Sequence, residues 1–267
     1  MKVLHAGVGA VLALAVGGMT SAAHLGSTRT NTGMNSNVSQ TFNHTVNVGS
    51  NEVLIVGLGW ISGLNRSVTS VSWTQNSQTQ SLNLVSGASA SVSSGSNYTE
   101  TEIWYVYGAQ QGSGTITVNF DGSLTGGVIS AANVYGVTTN ITSNFSSASL
   151  TTTNQQNVVS SNGAVVYSIT AQSDPNGDAR WTFGNDADAT YRKTIFNLND
   201  VGGINAAGQY TINGNDEEGM HSYTVFNGPA NASMPLSIVS FAVPEPTTLS
   251  LLAIGATGLL LRRRKSK

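Results

Sequence analysis

Thr115-Ile116-Thr117-Val118-Asn119-Phe120 is the stretch that decides the fold class, because its apolar and polar side chains alternate strictly. In a β-strand successive side chains point to opposite faces, so Ile116, Val118 and Phe120 would share one face and Thr117 and Asn119 the other. The pattern predicts an antiparallel strand that is buried on one side only.

Two other stretches show a different strand pattern. Val53-Leu54-Ile55-Val56 and Ile238-Val239 are apolar at consecutive positions. Such runs are typical of central strands covered on both sides. We therefore predict a core that extends to both faces of at least one sheet.

Similar short runs recur along the chain, separated by Gly, Ser and Asn clusters, and no stretch between them keeps a helical period. The further predicted strands are Val68–Trp73, Ser81–Val85, Thr101–Tyr107, Val128–Val137, Ala164–Thr170, Arg180–Phe183, Thr190–Phe196, Gln209–Ile212 and His221–Phe226. We interpret Ser86 to Asn97, with its Ser-Gly repeats, as a mobile loop. The sequence predicts an all-β domain of two packed antiparallel sheets, a jelly-roll-like β-sandwich, with a barrel as the alternative.

Composition limits the possible partners. Only 9% of the 267 residues are charged and there is no cysteine, so disulfides, thiolate zinc sites and cysteine nucleophiles are excluded. Between His24 and Val243 five basic residues face twelve Asp and Glu, a net charge near −7 (5 minus 12). Such a surface repels phosphate backbones, so we expect no nucleic-acid binding.

The N-terminus has the layout of a secretory signal peptide over residues 1–23, and the expected route of export is the Sec translocon. Lys2 precedes an apolar region, and small residues follow it up to Ala23, the predicted cleavage position. The alternative is an uncleaved anchor. Residues 24–39 form a polar leader, and the predicted β-sandwich domain covers residues 40–242.

The C-terminal residues 243–267 combine three features in a fixed order. Pro244-Glu245-Pro246 precedes an apolar span, Thr247 to Leu261, and a basic cluster follows, namely Arg262, Arg263, Arg264 and Lys265. This order resembles the PEP-CTERM sorting signal of Gram-negative bacteria, and the resemblance implies processing by an exosortase. Fifteen helical residues span roughly 22 Å, less than the roughly 30 Å of a bilayer core, so we predict a short transmembrane helix stopped by the basic cluster. A permanent C-terminal anchor is the alternative.

A second resemblance concerns the first half of the domain. The succession Glu52–Trp60, Val68–Trp73, Leu82–Val85, Glu102–Tyr107 and Gly114–Phe120 is similar in order and spacing to a β-sandwich module of secreted bacterial proteins. It implies a fold and no particular chemistry.

Acidic residues crowd the late part of the domain, where oxygen-bearing Asp174, Asn176 and Asp178 recur at every second position. A hard cation such as calcium is bound by loops of this kind, so the three residues are calcium candidates. The glycine and glutamate positions of an EF-hand are absent, however, and Asp-Pro-Asn-Gly is also an ordinary β-turn sequence. We expect no other cofactor.

Glu100 and Glu102 lie two residues apart and would share a strand face, as the carboxylate pair of a glycoside hydrolase does. The alternative is a solvent-facing edge of a strand whose Ile103 and Tyr105 point inward. Aromatic residues could form a sugar-stacking platform, although aromatics on strands belong more often to the core. These are Trp60, Trp73, Trp104, Trp181, Tyr98, Tyr105, Tyr107 and Tyr191.

Catalytic motifs are missing from the sequence. The histidines of the folded part are His44 and His221, and there is no Gly-x-Ser-x-Gly elbow, His-Glu-x-x-His helix or phosphate-binding Gly-Lys loop. We therefore expect no enzyme and no catalytic residue. The first functional hypothesis is a structural or adhesive protein of the cell surface, extracellular matrix or biofilm, and extracellular polysaccharide is an expected partner. The second is a module that binds or cleaves carbohydrate.

Overall fold

The computed structural model describes residues 24–151, 153–160, 164–173, 182–183, 191–198, 204–212, 219–226 and 232–243. The predicted signal peptide with Ala23, the calcium candidates Asp174, Asn176 and Asp178, and residues 244–267 with the sorting motif and basic cluster lie outside these residues. The described part belongs to one compact unit and is all-β. Among the described residues no helix is long and apolar enough to cross a bilayer.

Seventeen strands, numbered in chain order, build four antiparallel sheets from the described residues. Sheet A contains, in spatial order, β1 (His24–Met34), β9 (Gly126–Tyr135), β3 (Val53–Ser62), β7 (Asn97–Tyr107) and β6 (Asn83–Ser94). Sheet B contains β2 (Ser39–Val46), β8 (Gly112–Phe120), β4 (Val68–Gln75) and β5 (Gln78–Ser81).

The other two sheets come mostly from the second half of the chain. Sheet C contains β10 (Ile141–Thr151), β17 (Ala232–Phe241), β12 (Val165–Ser173), β15 (Ile204–Ile212) and β14 (Tyr191–Leu198). Sheet D contains β11 (Thr153–Ser160), β16 (Gly219–Phe226) and β13 (Thr182–Phe183). In β13 to β16 the description covers the backbone only.

Sheet A is the centre of the structure because it is covered on both faces. One face of β3 packs with sheet B in a core that includes Leu54, Val56 and Trp60. The other face packs with sheet C, where Val53 and Ile55 meet Tyr167. All ten residues of β3 are buried. The predicted coverage on both sides is therefore confirmed, whereas four sheets are present instead of the predicted two.

The alternating and the consecutive apolar patterns also correspond to the observed burial in β8 and β17. In β8 the residues Ile116, Val118 and Phe120 are buried, as their alternation predicts. In β17 the neighbours Ile238 and Val239 are both fully buried because they enter different cores.

Sheets A and C approach closely where a glycine provides room. A Cβ on Gly57 would lie 1.8 Å from the Tyr167 hydroxyl oxygen, so only glycine fits beneath this ring. The hydroxyl donates to Ser130 Oγ at 3.3 Å. A second buried link, of 2.8 Å, joins the Thr101 and Ser237 hydroxyls of the two sheets.

The predicted loop at residues 86–97 is wrong, because β6 continues to Ser94. Ala88, Ala90 and Val92 alternate into the core. The small side chains of this strand give its sequence the composition of a flexible linker. In the structure they allow sheets A and C to pack closely. The polar leader of residues 24–39 contains β1, which pairs with β9.

Candidate functional site

Glu100 and Glu102 lie on the face of β7 that is turned towards sheet B, and β7 is an inner strand between β3 and β6. Only 6% of Glu100 is exposed and Glu102 is half-buried. The expected solvent-facing edge is therefore wrong, because neighbouring strands cover both sides of β7. Ile103 is fully buried on the opposite face, as predicted, and Tyr105 is partly buried there.

Serine residues of β6 stand beside the two carboxyl groups. Ser91 is paired with Glu100 and Ser89 with Glu102, and both serines are exposed. The Ser89 hydroxyl donates to Glu102 Oε1 at 3.5 Å, and the indole N–H of Trp104 donates to Glu102 Oε2 at 2.8 Å. We call these five residues, Glu100, Glu102, Trp104, Ser89 and Ser91, the carboxyl face.

Burial raises the pKa of both carboxyl groups from the ordinary 4.5 to about 7. The charge of Glu100 adds to the pKa rise at Glu102, and the Trp104 and Ser89 hydrogen bonds oppose it. At Glu100 polar contacts with Ser91, Trp60 and the Arg66 backbone oppose the rise. Near neutral pH both carboxyl groups are therefore protonated more readily than an exposed glutamate would be.

Several polar atoms next to Glu100 are incompletely bonded. Within the described residues Trp60 Nε1, Ser62 Oγ, Arg66 Nε and Glu100 Oε2 are buried and make no hydrogen bond of normal geometry. Trp60 is paired with Glu100 across β3 and β7. The Arg66 guanidinium instead reaches Asp121, 3.9 Å away at the surface. Of these residues, Trp60 and the Arg66 backbone contact Glu100 directly.

Among the residues whose side chains are described, the predicted aromatic platform is not present as a surface. Trp60 and Trp73 are 1% and 0% exposed and belong to the core between sheets A and B. Trp60 packs edge-on against Phe120, and the Trp73 indole N–H donates to the Gln110 carbonyl oxygen at 3.0 Å. Of the tryptophans with described side chains, only Trp104 keeps a partly exposed ring.

The other predicted aromatics are dispersed. Tyr98 is half-buried at the start of β7, while Tyr105 and Tyr107 pack on the sheet C side of sheet A. Trp181 lies outside the described residues, and of Tyr191 only the backbone is described.

His44 belongs to the core of the sandwich. It is 2% exposed, its Nε2 lies 3.2 Å from Asn133 Oδ1, and its ring meets Trp73 edge-on. Burial lowers its pKa, and the Asn133 contact opposes this only in part. The side chains of His24 and His221 are not described. In the described ranges no group of three His, Asp or Glu residues could hold a metal ion.

The sequence reasoning missed Glu52, which stands at the start of β3 before the apolar run. It is 4% exposed, and burial raises its pKa to about 7, against a hydrogen bond from Gln111. One signal was available: a lone carboxylate directly before four apolar residues is expected to enter the sheet with them.

Comparison with known proteins identifies the C-terminal tail. Residues 242–265 match the PEP-CTERM protein-sorting motif, which confirms the resemblance stated from the sequence. None of the curated proteins and none of the solved structures matches the chain. The motif implies export, processing by the membrane protein exosortase, and C-terminal membrane anchoring or cleavage.

Proposed function

We propose that this protein is a non-enzymatic component of the bacterial cell surface or extracellular matrix, with a structural or adhesive role in an exopolysaccharide layer or biofilm. The PEP-CTERM motif at residues 242–265 carries the proposal, since it is a delivery signal. The missing catalytic motifs and the mostly uncharged polar composition support it. Before cleavage the apolar span would hold the domain outside the inner membrane, with the basic cluster on the cytoplasmic side.

Deletion of Val243 to Lys267 tests this proposal. We expect the shortened chain to be exported and folded but no longer displayed, as measured by protease accessibility and antibody labelling of whole cells. Replacing Pro244, Glu245 and Pro246 by alanine keeps the apolar span and should give the same loss if recognition by exosortase is required. Normal display of the deletion variant would contradict the proposal.

A second candidate function is carbohydrate binding or cleavage at the carboxyl face. The supporting observation is the pair Glu100 and Glu102, each with a pKa near 7, beside the partly exposed Trp104. The Cα atoms of residues two apart on a strand are about 7 Å apart, and the two side chains share one face of β7.

A glycan array and hydrolysis assays with Glu100→Gln and Glu102→Gln test the second function. Glu52→Gln is the matched control, because Glu52 is also buried and has a similarly raised pKa but lies at the other end of β3. Binding that is lost in the first two variants and kept in the control would support this function. A wild type that neither binds nor hydrolyses any glycan tested would exclude it.

A further inference from the structure

Eight described strands form the edges of the four sheets, and six of them carry a feature that protects against pairing with another chain. β5 and β13 are only four and two residues long. The pairing of β1, β6, β10 and β14 contains register irregularities, and β1 and β14 also carry basic residues. Two edges remain, β2 and β11, which are eight residues long, regular, uncharged and free of proline. The side chains of β2 are described throughout and alternate between exposed and buried positions as far as His44.

The free backbone groups of β2 follow from its pairing with β8. The Phe120 N–H donates to the Val38 carbonyl oxygen at 2.8 Å, which turns the even-numbered residues of this segment towards β8. Consistently, the Thr45 carbonyl oxygen accepts from Asn133 Nδ2 of sheet A at 3.0 Å. Ser39, Thr41 and Asn43 therefore direct their N–H and C=O groups away from β8. We call these groups the open edge of β2, and no hydrogen bond between described residues engages them.

Repulsion between like charges does not oppose the approach of a second copy to the open edge of β2. The region from His24 to Val243 carries a net charge near −7 (5 minus 12), but the strands of sheet B contain no Asp, Glu, Lys or Arg. The side chains of Ser39, Thr41 and Asn43 are exposed and neutral. Similar side chains already pair across β2 and β8, since the hydroxyl groups of Thr45 and Ser113 lie 2.9 Å apart.

We propose that β2 is an assembly edge through which two copies of this chain pair antiparallel, joining two four-stranded sheets B into one eight-stranded sheet. A second copy fits this edge because an antiparallel strand related by a two-fold axis presents each N–H to a C=O of its mate. With the axis at Thr41, Thr41 faces its own copy and Ser39 faces Asn43 of the mate, so neutral side chains meet, whereas identical charges would repel. A two-fold contact of this kind closes after two copies and gives a dimer.

The self-association of the purified full-length chain in detergent, measured by sedimentation velocity over a range of concentrations, tests the proposal. Thr41→Lys places a charge beside its own copy and is expected to weaken the dimer by about tenfold or more. Thr41→Pro removes one outward N–H without adding charge, and should weaken the dimer as well. Thr117→Lys is the matched control: Thr117 is paired with Thr41 on the same outer face, but in the inner strand β8.

A crosslinking experiment in cells complements this measurement, because the chain contains no cysteine of its own. Thr41→Cys should give a disulfide-linked dimer under mild oxidation, and Thr117→Cys should stay monomeric. Circular dichroism and thermal melting confirm that each variant is folded. A wild type that stays monomeric at about 1 mM, equal weakening by the two lysine variants, or equal crosslinking at the two positions would overturn the proposal. The result does not depend on the sorting motif, since surface display is measured separately.

Discussion

Glu100→Gln should make the protein less sensitive to alkaline pH. In the folded chain burial raises the pKa of Glu100 to about 7, whereas the unfolded chain has the ordinary value of 4.5. Between these values the folded state binds the proton that the unfolded state has lost, so the free energy of unfolding falls as the pH rises. The difference between the two pKa values corresponds to about 3 kcal/mol. Glutamine resembles the protonated carboxyl group and does not ionise, so the variant avoids this loss.

Urea denaturation of both proteins at a series of pH values from about 4.5 to 8 measures this effect. We expect the stability of the variant relative to the wild type to rise by about 3 kcal/mol across this range. Ser93→Ala is the control, because Ser93 is an exposed residue of the neighbouring strand β6 and does not titrate. A difference that is constant with pH, or that grows towards acid pH, would refute the burial argument.

Three further outcomes are expected. Gly57→Ala should lower the free energy of unfolding by about 1–3 kcal/mol in thermal denaturation, because its Cβ would lie 1.8 Å from the Tyr167 hydroxyl oxygen. Tyr167→Phe in the same protein should recover part of this loss. An unchanged melting temperature of the Gly57 variant would contradict the close packing. Burial lowers the pKa of His44, so the unfolded state binds its proton first and the free energy of unfolding should fall as the pH drops below 6.5. His44→Gln should reduce this fall, as measured by urea denaturation at several pH values. An unaltered dependence of stability on pH would contradict the burial argument. Trp104→Phe keeps an aromatic ring but removes the indole N–H that donates to Glu102, so the pKa of the Glu102 carboxyl group measured by NMR should rise. A fall in this pKa would refute the assigned hydrogen bond.

The strands that could be predicted are those whose own residues determine burial. Alternation in β8 and the apolar run in β3 identified both strands and the faces that they bury. β2 was missed because Gln40 and His44 alternate with Phe42 and Val46 at the inward positions, so its apolar alternation looks weak although all four are buried. In the same way Ala88 and Ala90 gave too little hydrophobic signal to indicate a strand.

The environment of the carboxyl face could not be read from the sequence. The spacing of Glu100 and Glu102 correctly placed both on one face of a strand. Their burial, however, depends on the two strands that flank β7. β3 lies distant in the chain, and β6 directly precedes β7 but has a serine-rich sequence that predicts a loop. The sorting signal could be recognised because its parts are contiguous and in order, and no tertiary contact is needed to identify them.

The mature termini of the protein, determined by mass spectrometry on material from its native host, test the central claim most directly. If the chain is exported and sorted as proposed, the N-terminus should be His24 and the C-terminus should lie close to Pro244-Glu245-Pro246. A surface-displayed protein that retains both Met1 and Lys267 would contradict the account.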